Sequence, residues 1–282
     1  MTPYLYILLA SITQALSVHA IRDIQARSGN IFKAVIWNYV VCALIGITYL
    51  IITGVDSNWL RAIPYGVFTG FFYIAAVLVM IRSMGQRGLA VTYAIANISM
   101  VLPVIIAIAL GDKPSMLQTS GIVLAAIAIP ILSLCTTRGR AISELPSFKL
   151  AILLFFVRGL AAVGNLVAED TLDESILPVY ITALFSSCLV FGLIALFFVD
   201  KSSYAIDLKL GSTFGVLNII ATSSLILALT KAPGSIVFAS YNVIGMTLGA
   251  ILAIWLWRER IQSWGWIGFI IAVVASVMMR VT

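Results

Sequence analysis

The sequence predicts an all-α integral membrane protein: ten transmembrane helices arranged as two inverted-topology repeats of five. Three observations carry this expectation. First, 62% of the 282 residues are hydrophobic and only 10% are charged, with a mean hydropathy of +1.11; a soluble domain carries about 25% charged residues. Second, the few charges divide the chain into apolar stretches of membrane length. Third, the chain resembles itself at a fixed shift.

The segments follow in order. Residues 34–55, 62–81, 88–111, 114–137, 175–199, 210–230, 232–257 and 261–279 contain no Asp, Glu, Lys or Arg. Each reaches the roughly 20 residues that a helix needs to cross a hydrocarbon core. Residues 1–21 add a further segment, ending near His19, the sole histidine, and residues 150–168 add another, interrupted by Arg158. The loops between segments are short, so the whole of 1–282 reads as a single transmembrane domain. β-Barrel strands are about ten residues long and alternate in polarity; these segments do neither. The N-terminal run has no basic stretch before it, so it reads as the first helix of the bundle rather than a cleaved leader. Cys42, Cys135 and Cys188 lie in apolar spans without CxxC spacing and read as packing residues.

Basic residues set the orientation. Loops after odd-numbered segments hold 12 Lys and Arg, among them Arg82, Arg87, Arg138 and Arg140; the other side holds 4, namely Arg61, Lys113, Lys231 and Arg280. The positive-inside rule then places both termini outside. The pI of 9.3 follows from this flanking charge and does not indicate a nucleic-acid partner.

A shift of 145 residues carries Gly66 and Gly70 onto Gly211 and Gly215, Tyr73 onto Asn218, and Asn97 onto Asn242. With two more residues of offset, Asp112 meets Glu259 and Gly121 meets Gly268. The repeats are residues 1–140 and 146–282. Five helices per repeat is an odd number, so the second enters from the opposite face. Such inverted repeats are the common build of secondary transporters, whose halves rock about a central site.

GDKP at Gly111–Pro114 and RERIQSWGWIGFIIAVVASV from Arg258, together with the two five-helix halves, resemble the EamA-type branch of the drug/metabolite transporter superfamily. The resemblance spans nearly the whole chain. It implies a cell (inner) membrane transporter with both termini in the cytoplasm, opposite to the charge count. The Trp-Gly pair usual in that family's first helix is replaced by Thr13-Gln14, and the equivalent place in the sixth segment is Arg158-Gly159.

Arg158 is the strongest site candidate. It is near the middle of its segment, where an arginine costs at least about 2.5–3.5 kcal/mol. Arg158, Ala162, Asn165 and Glu169 form one helical stripe, expected to face a wet cavity. A guanidinium fork suits carboxylate or phosphate; a structural arginine bonded to neighbouring helices is the other reading. Thr13, Gln14 and Ser17 supply neutral polar groups on the first helix. Asn97 and Asn242, with Tyr93 and Tyr241 beside them, either line the pocket or pin their helices together. Tyr73 and Asn218 form a second matched pair, and Trp37 and Tyr39 bring aromatic rings into the second segment. His19 reads as a boundary residue pairing with Asp23. Asp112 and Glu259 read as caps or ion-pair partners. Gly66/Gly70, Gly211/Gly215 and Gly245/Gly249 read as helix-packing pairs.

No Walker loop, HExxH or Ser-His-Asp set is present, so an enzyme is not expected, nor a cofactor or metal. The expected function is alternating-access transport of a small polar metabolite with an anionic group, such as an amino acid or organic acid. A nucleotide-sugar or phosphometabolite transporter and a lipid or lipid-linked-sugar flippase are the alternatives. The expected partners are that small molecule and the lipid bilayer, with the chain a monomer or homodimer.

Overall fold

Long runs of Leu, Ile, Val and Ala with no water-exposed polar face can satisfy their backbone groups in hydrocarbon only by coiling into helices. The computed structural model bears this out over residues 2–26, 30–87, 89–135, 148–196, 205–257 and 263–279, the residues it describes. These form α1 (Pro3–Ala26), α2 (Ile31–Thr53), α3 (Ala62–Arg87), α4 (Leu89–Ile98), α5 (Val101–Leu110), α6 (Met116–Cys135), α7 (Phe148–Thr171), α8 (Leu177–Leu196), α9 (Ala205–Leu229), α10 (Gly234–Trp257) and α11 (Ser263–Met278). Single 3-10 turns precede α3 and α8, and no strand occurs among the described residues. Among the described residues, five spans are long and apolar enough to cross a membrane: Ile31–Thr53, Trp59–Ser83, Lys149–Thr171, Glu174–Leu196 and Leu208–Leu229. Arg138, Arg140, Glu259 and Arg280, all used in the charge and repeat readings, lie outside the described residues.

Helix ends follow local chemistry. The Asn30 side chain accepts from the Lys33 N–H at 3.2 Å and caps α2. Gly54 ends that helix with φ +79°, a backbone conformation that side chains disfavour. At α6, Ser115 and Gln118 cap reciprocally, at 2.9 and 3.2 Å. Asp56, in the loop after α2, accepts from the Asn58 N–H and the Ser175 hydroxyl, and these bonds hold its carboxyl below the usual carboxylate range.

The charge-free stretch 88–111 is not one helix. Pro103 has no N–H to give the Ser99 carbonyl four residues earlier. The turn tightens instead: Leu102 N–H donates to Ser99 O and Met100 N–H to Asn97 O, at 3.0 and 3.1 Å. The chain breaks between α4 and α5.

Burial is inverted relative to a water-soluble protein. Ser11, Asn38, Thr69, Ser83 and Ser235 are fully buried, while Ile51 and Ile52 are each 77% exposed. Monomeric soluble proteins do not present such a continuous apolar exterior; a bilayer accepts it.

Packing between the two halves is reciprocal. α1 packs on α9 and α10, and α7 packs on α3 and on α4 and α5; α2 packs on α9 and α3 on α8; α2 meets α8, and α6 meets α11. Glycines set the closest crossings. A Cβ on Gly66 or Gly70 would lie 2.6–2.8 Å from atoms of Ala183, Leu184 and Ser187 on α8. A Cβ on Gly211 or Gly215 would lie 2.5–2.8 Å from Ala34, Trp37, Asn38 and Val41 on α2. Each crossing carries the same thiol bond: Cys188 donates to Gly70 O at 3.5 Å, and Cys42 to Gly215 O at 3.2 Å. Both thiols are buried and free, as packing residues should be; the Cys135 side chain lies outside the described residues.

The third glycine pair behaves otherwise. A Cβ on Gly245 would have nothing nearer than Ser11 O at 3.8 Å, and one on Gly249 meets nothing within 4 Å. At these two positions a Cβ would fit without displacing a neighbour, so the small residue is not what lets α10 pack on α1. Gly70→Val and Gly215→Val are therefore expected to lower the thermal midpoint of the detergent-solubilised protein by several degrees, whereas Gly249→Ala leaves it unchanged. Equal effects at all three positions, read by fluorescence-detected size-exclusion melting, would contradict this packing.

Candidate functional site

The residue after Arg158 fixes where the arginine sits. Gly159 lies against the α4–α5 break: a Cβ there would be 2.8 Å from Leu102 Cδ2 and 3.1 Å from Ser99 O. One turn and a half later, Gly164 receives the Thr69 side chain of α3. α7 is thereby held between α3 and the broken helix, and its polar stripe turns inward. Ala162 and Asn165 are buried, and Arg158 and Glu169 are half-buried.

The Arg158 guanidinium carbon sits 6.0 Å from the centre of the Tyr73 ring, in cation–π range. It is also near enough to the Tyr39 and Tyr241 phenols to act on them electrostatically. Arg158 makes no hydrogen bond or ion pair with any described residue. Tyr73 of α3 is thus the ring in contact with the cation, while Tyr39 of α2 and Tyr241 of α10 stand within its field.

Beneath Tyr73 runs a buried hydrogen-bond chain. Asn165 Nδ2 donates to the Tyr73 hydroxyl at 3.1 Å. The Tyr180 hydroxyl donates to Asn165 Oδ1 at 2.8 Å and lies 3.1 Å from Thr69 Oγ1. Tyr180 has one proton and the amide oxygen only accepts, so the Thr69 hydroxyl supplies the other bond. With the amide in this orientation, the Tyr73 proton is left available to a ligand. Arg158 and Tyr73 then present donors alone.

The other expected site residues are placed as follows. Asn218 Nδ2 donates to Asn38 Oδ1 at 3.0 Å, tying α9 to α2. Asn38 Nδ2 is buried without a partner. Asn242 Nδ2 donates to Asn97 O at 3.0 Å. That carbonyl sits at the α4–α5 break and also accepts from Met100 N–H, so Asn242 adds a second bond there and ties α10 to α4. Thr13 and Ser17 turn their hydroxyls onto carbonyls of their own helix, at 2.7–3.1 Å. Gln14 is half-buried and makes no hydrogen bond among the described residues. Trp37 packs beside Gly211. Tyr93 belongs to α4, but its side chain lies outside the described residues. His19 reaches α10, with Nε2 3.1 Å from Gly249 O; a carbonyl only accepts, so Nε2 carries the proton. Asp112 caps across the bundle: its Oδ2 accepts from Ser235 N–H at 2.8 Å, at the positive N-terminus of α10.

Tyr180 and Thr69 are the members that sequence reading overlooks. Neither stands out in an apolar run, and neither is matched by the repeat. A signal existed in Gly164, whose small size admits Thr69, but only the fold pairs them.

No family model and no curated protein matches this chain. Its fold recurs in solved structures, with 28 matching chains. One of them, described only as "Crystal structure of protein", covers 99% of this chain and 94% of its own, with a TM-score of 0.72 at 12% identity. At that identity the likeness concerns the fold alone.

Two substitutions test the geometry. Tyr180→Phe strands the Asn165 carbonyl and is expected to destabilise by about 1–3 kcal/mol. Asp112→Ala removes a charged cap and is expected to cost about 0.5–2 kcal/mol. Chemical denaturation in mixed micelles reads both, and no change in either variant rejects the corresponding bond.

Proposed function

We propose that this chain is a secondary transporter of the drug/metabolite transporter superfamily, EamA-type, with ten membrane spans in two inverted five-helix repeats. In this reading α4 and α5 together make one span, interrupted beside the site. The reciprocal helix contacts and the paired glycine–cysteine crossings support the repeat. Discontinuous helices at a central site are a recurrent transporter feature. The chain works by alternating access in the cell (inner) membrane, as a monomer or homodimer.

The observation that carries the substrate reading is the Arg158 guanidinium, which stands over the Tyr73 ring and has no hydrogen bond or ion pair among the described residues. An intramembrane cation without an anionic or accepting partner calls for water or a ligand. Its fork and the Tyr73 hydroxyl suit a carboxylate. The cargo is therefore a small metabolite with an anionic group, such as an amino acid or organic acid. A phosphate would fit the same fork, so phosphorylated metabolites and nucleotide sugars belong in the test.

Asn165 holds Tyr73, and Gln14 is the neutral polar group available from α1. Tyr39 and Tyr241 supply the walls. Asn97, Asn242 and Asn218 act as helix ties rather than cargo contacts.

The purified protein is screened by thermal shift against amino acids, organic acids and phosphorylated metabolites, then repeated with Arg158→Ala and Arg158→Lys. A stabilising anionic compound is expected, whose shift is lost in Arg158→Ala and weakened in Arg158→Lys. Without ligand, Arg158→Ala is expected to melt at or above the parent temperature, because it removes an unpaired buried cation. An undiminished ligand shift in Arg158→Ala would remove Arg158 from recognition. A drop of several degrees without ligand would instead make it structural.

A further inference from the structure

A crevice of about 470 Å³ lies between α2, α8 and α9, away from the arginine. Neither Arg158 nor Tyr39, Tyr73, Tyr241 or Asn165 lines it. Gly46 of α2 seats the Thr182 side chain of α8, and both residues line the crevice. Ile45, Ile220 and Leu227 line it and are also exposed on the outer surface of the bundle, at 40, 37 and 42%. The crevice therefore opens sideways, toward the bilayer.

Its chemistry is graded along its length. The rim holds the exposed carboxylate of Glu174, which has no ion-pair partner among the described residues. The interior is walled by isoleucines and leucines. Between them stand Ser223 and Ser224. Some hydroxyls on these helices bond back to a carbonyl one turn earlier, as Thr182, Ser187 and Ser212 do at 2.7–2.8 Å. Ser223 and Ser224 do not: neither makes a hydrogen bond with a described residue, and Ser224 is only 5% exposed. A hydroxyl left unbonded at membrane depth costs free energy until something fills the space beside it.

We propose that this crevice holds one bilayer lipid with an ethanolamine headgroup. The headgroup ammonium pairs with Glu174 at the rim, the ester oxygens of the glycerol region accept from Ser223 and Ser224, and one acyl chain lies along the isoleucine wall. An acid at the rim, two free hydroxyls and an apolar wall in one crevice answer the three parts of such a lipid. A choline headgroup carries no N–H and cannot make the charge-assisted hydrogen bond. An anionic glycerol headgroup is repelled by the same carboxylate. The inference depends on the chain lying in a membrane, and not on Arg158 binding cargo.

The full chain is placed in nanodiscs containing equal parts of phosphatidylethanolamine, phosphatidylglycerol and phosphatidylcholine, released, and weighed by native mass spectrometry. One ethanolamine lipid is expected to be retained in severalfold excess over the other two. Glu174→Gln is expected to abolish the preference over phosphatidylcholine, and Ile220→Trp, which fills the crevice, to abolish retention. The double variant Ser223→Ala/Ser224→Ala repeats the second test without added bulk, should Ile220→Trp melt early. Equal retention of the three lipids, preference for phosphatidylglycerol, occupation by detergent alone, or unchanged retention in the crevice variants each overturns the proposal.

Discussion

Everything at the centre of this bundle depends on two close crossings, α3 on α8 and α9 on α2. In hydrocarbon there is no hydrophobic force between helices, so association rests on backbone proximity. Gly66 and Gly70, and Gly211 and Gly215, permit that proximity, and a buried thiol at each crossing donates to the very carbonyl that the glycine exposes. Thr69 and Tyr73 share the stripe of Gly66 and Gly70, so fixing that stripe against α8 also sets Thr69 between Tyr180 and Gly164 and Tyr73 beside Asn165. The position of Arg158 follows from the glycines several helices away.

The second constraint is the break at Ser99. A proline in a membrane helix leaves a carbonyl without its donor, and the neighbours must absorb the loss. Here the turn tightens, Asn242 reaches across from α10, and Gly159 makes room for the displaced backbone. Each compensation bears on the site, for Asn242 follows Tyr241 and Gly159 follows Arg158. The break is thus tied to the tyrosine cage through adjacent residues on two helices.

Much of this was legible in the sequence because membrane length, charge spacing and an intramembrane arginine are one-dimensional signals. The five long apolar spans among the described residues, the two tight glycine pairs and the buried side of Asn165 follow from them. What escaped is relational. The stretch 88–111 is uniformly apolar, and Pro103 alone does not say whether a helix kinks or parts. Gly245 and Gly249 share the spacing of the packed pairs, yet a Cβ at either would displace nothing. Asn97 and Asn242 read equally as pocket or pin until a distance is known. Tyr180 and Thr69 are ordinary residues whose roles exist only through Asn165.

The two halves repeat their contacts but not their chemistry, and the difference concentrates on α7. Where α1 carries hydroxyls satisfied within its own turns, α7 carries a guanidinium with no bonded partner among the described residues. A scaffold that needed only packing would gain nothing from that charge, which costs more at depth than any single hydrogen bond nearby returns. Asn165 and Tyr180 are arranged to hold Tyr73 rather than to neutralise Arg158. The neighbouring groups orient donors beside the cation and leave the acceptor to come from elsewhere. On the reading proposed above, a small anion would supply the acceptor that the described residues do not.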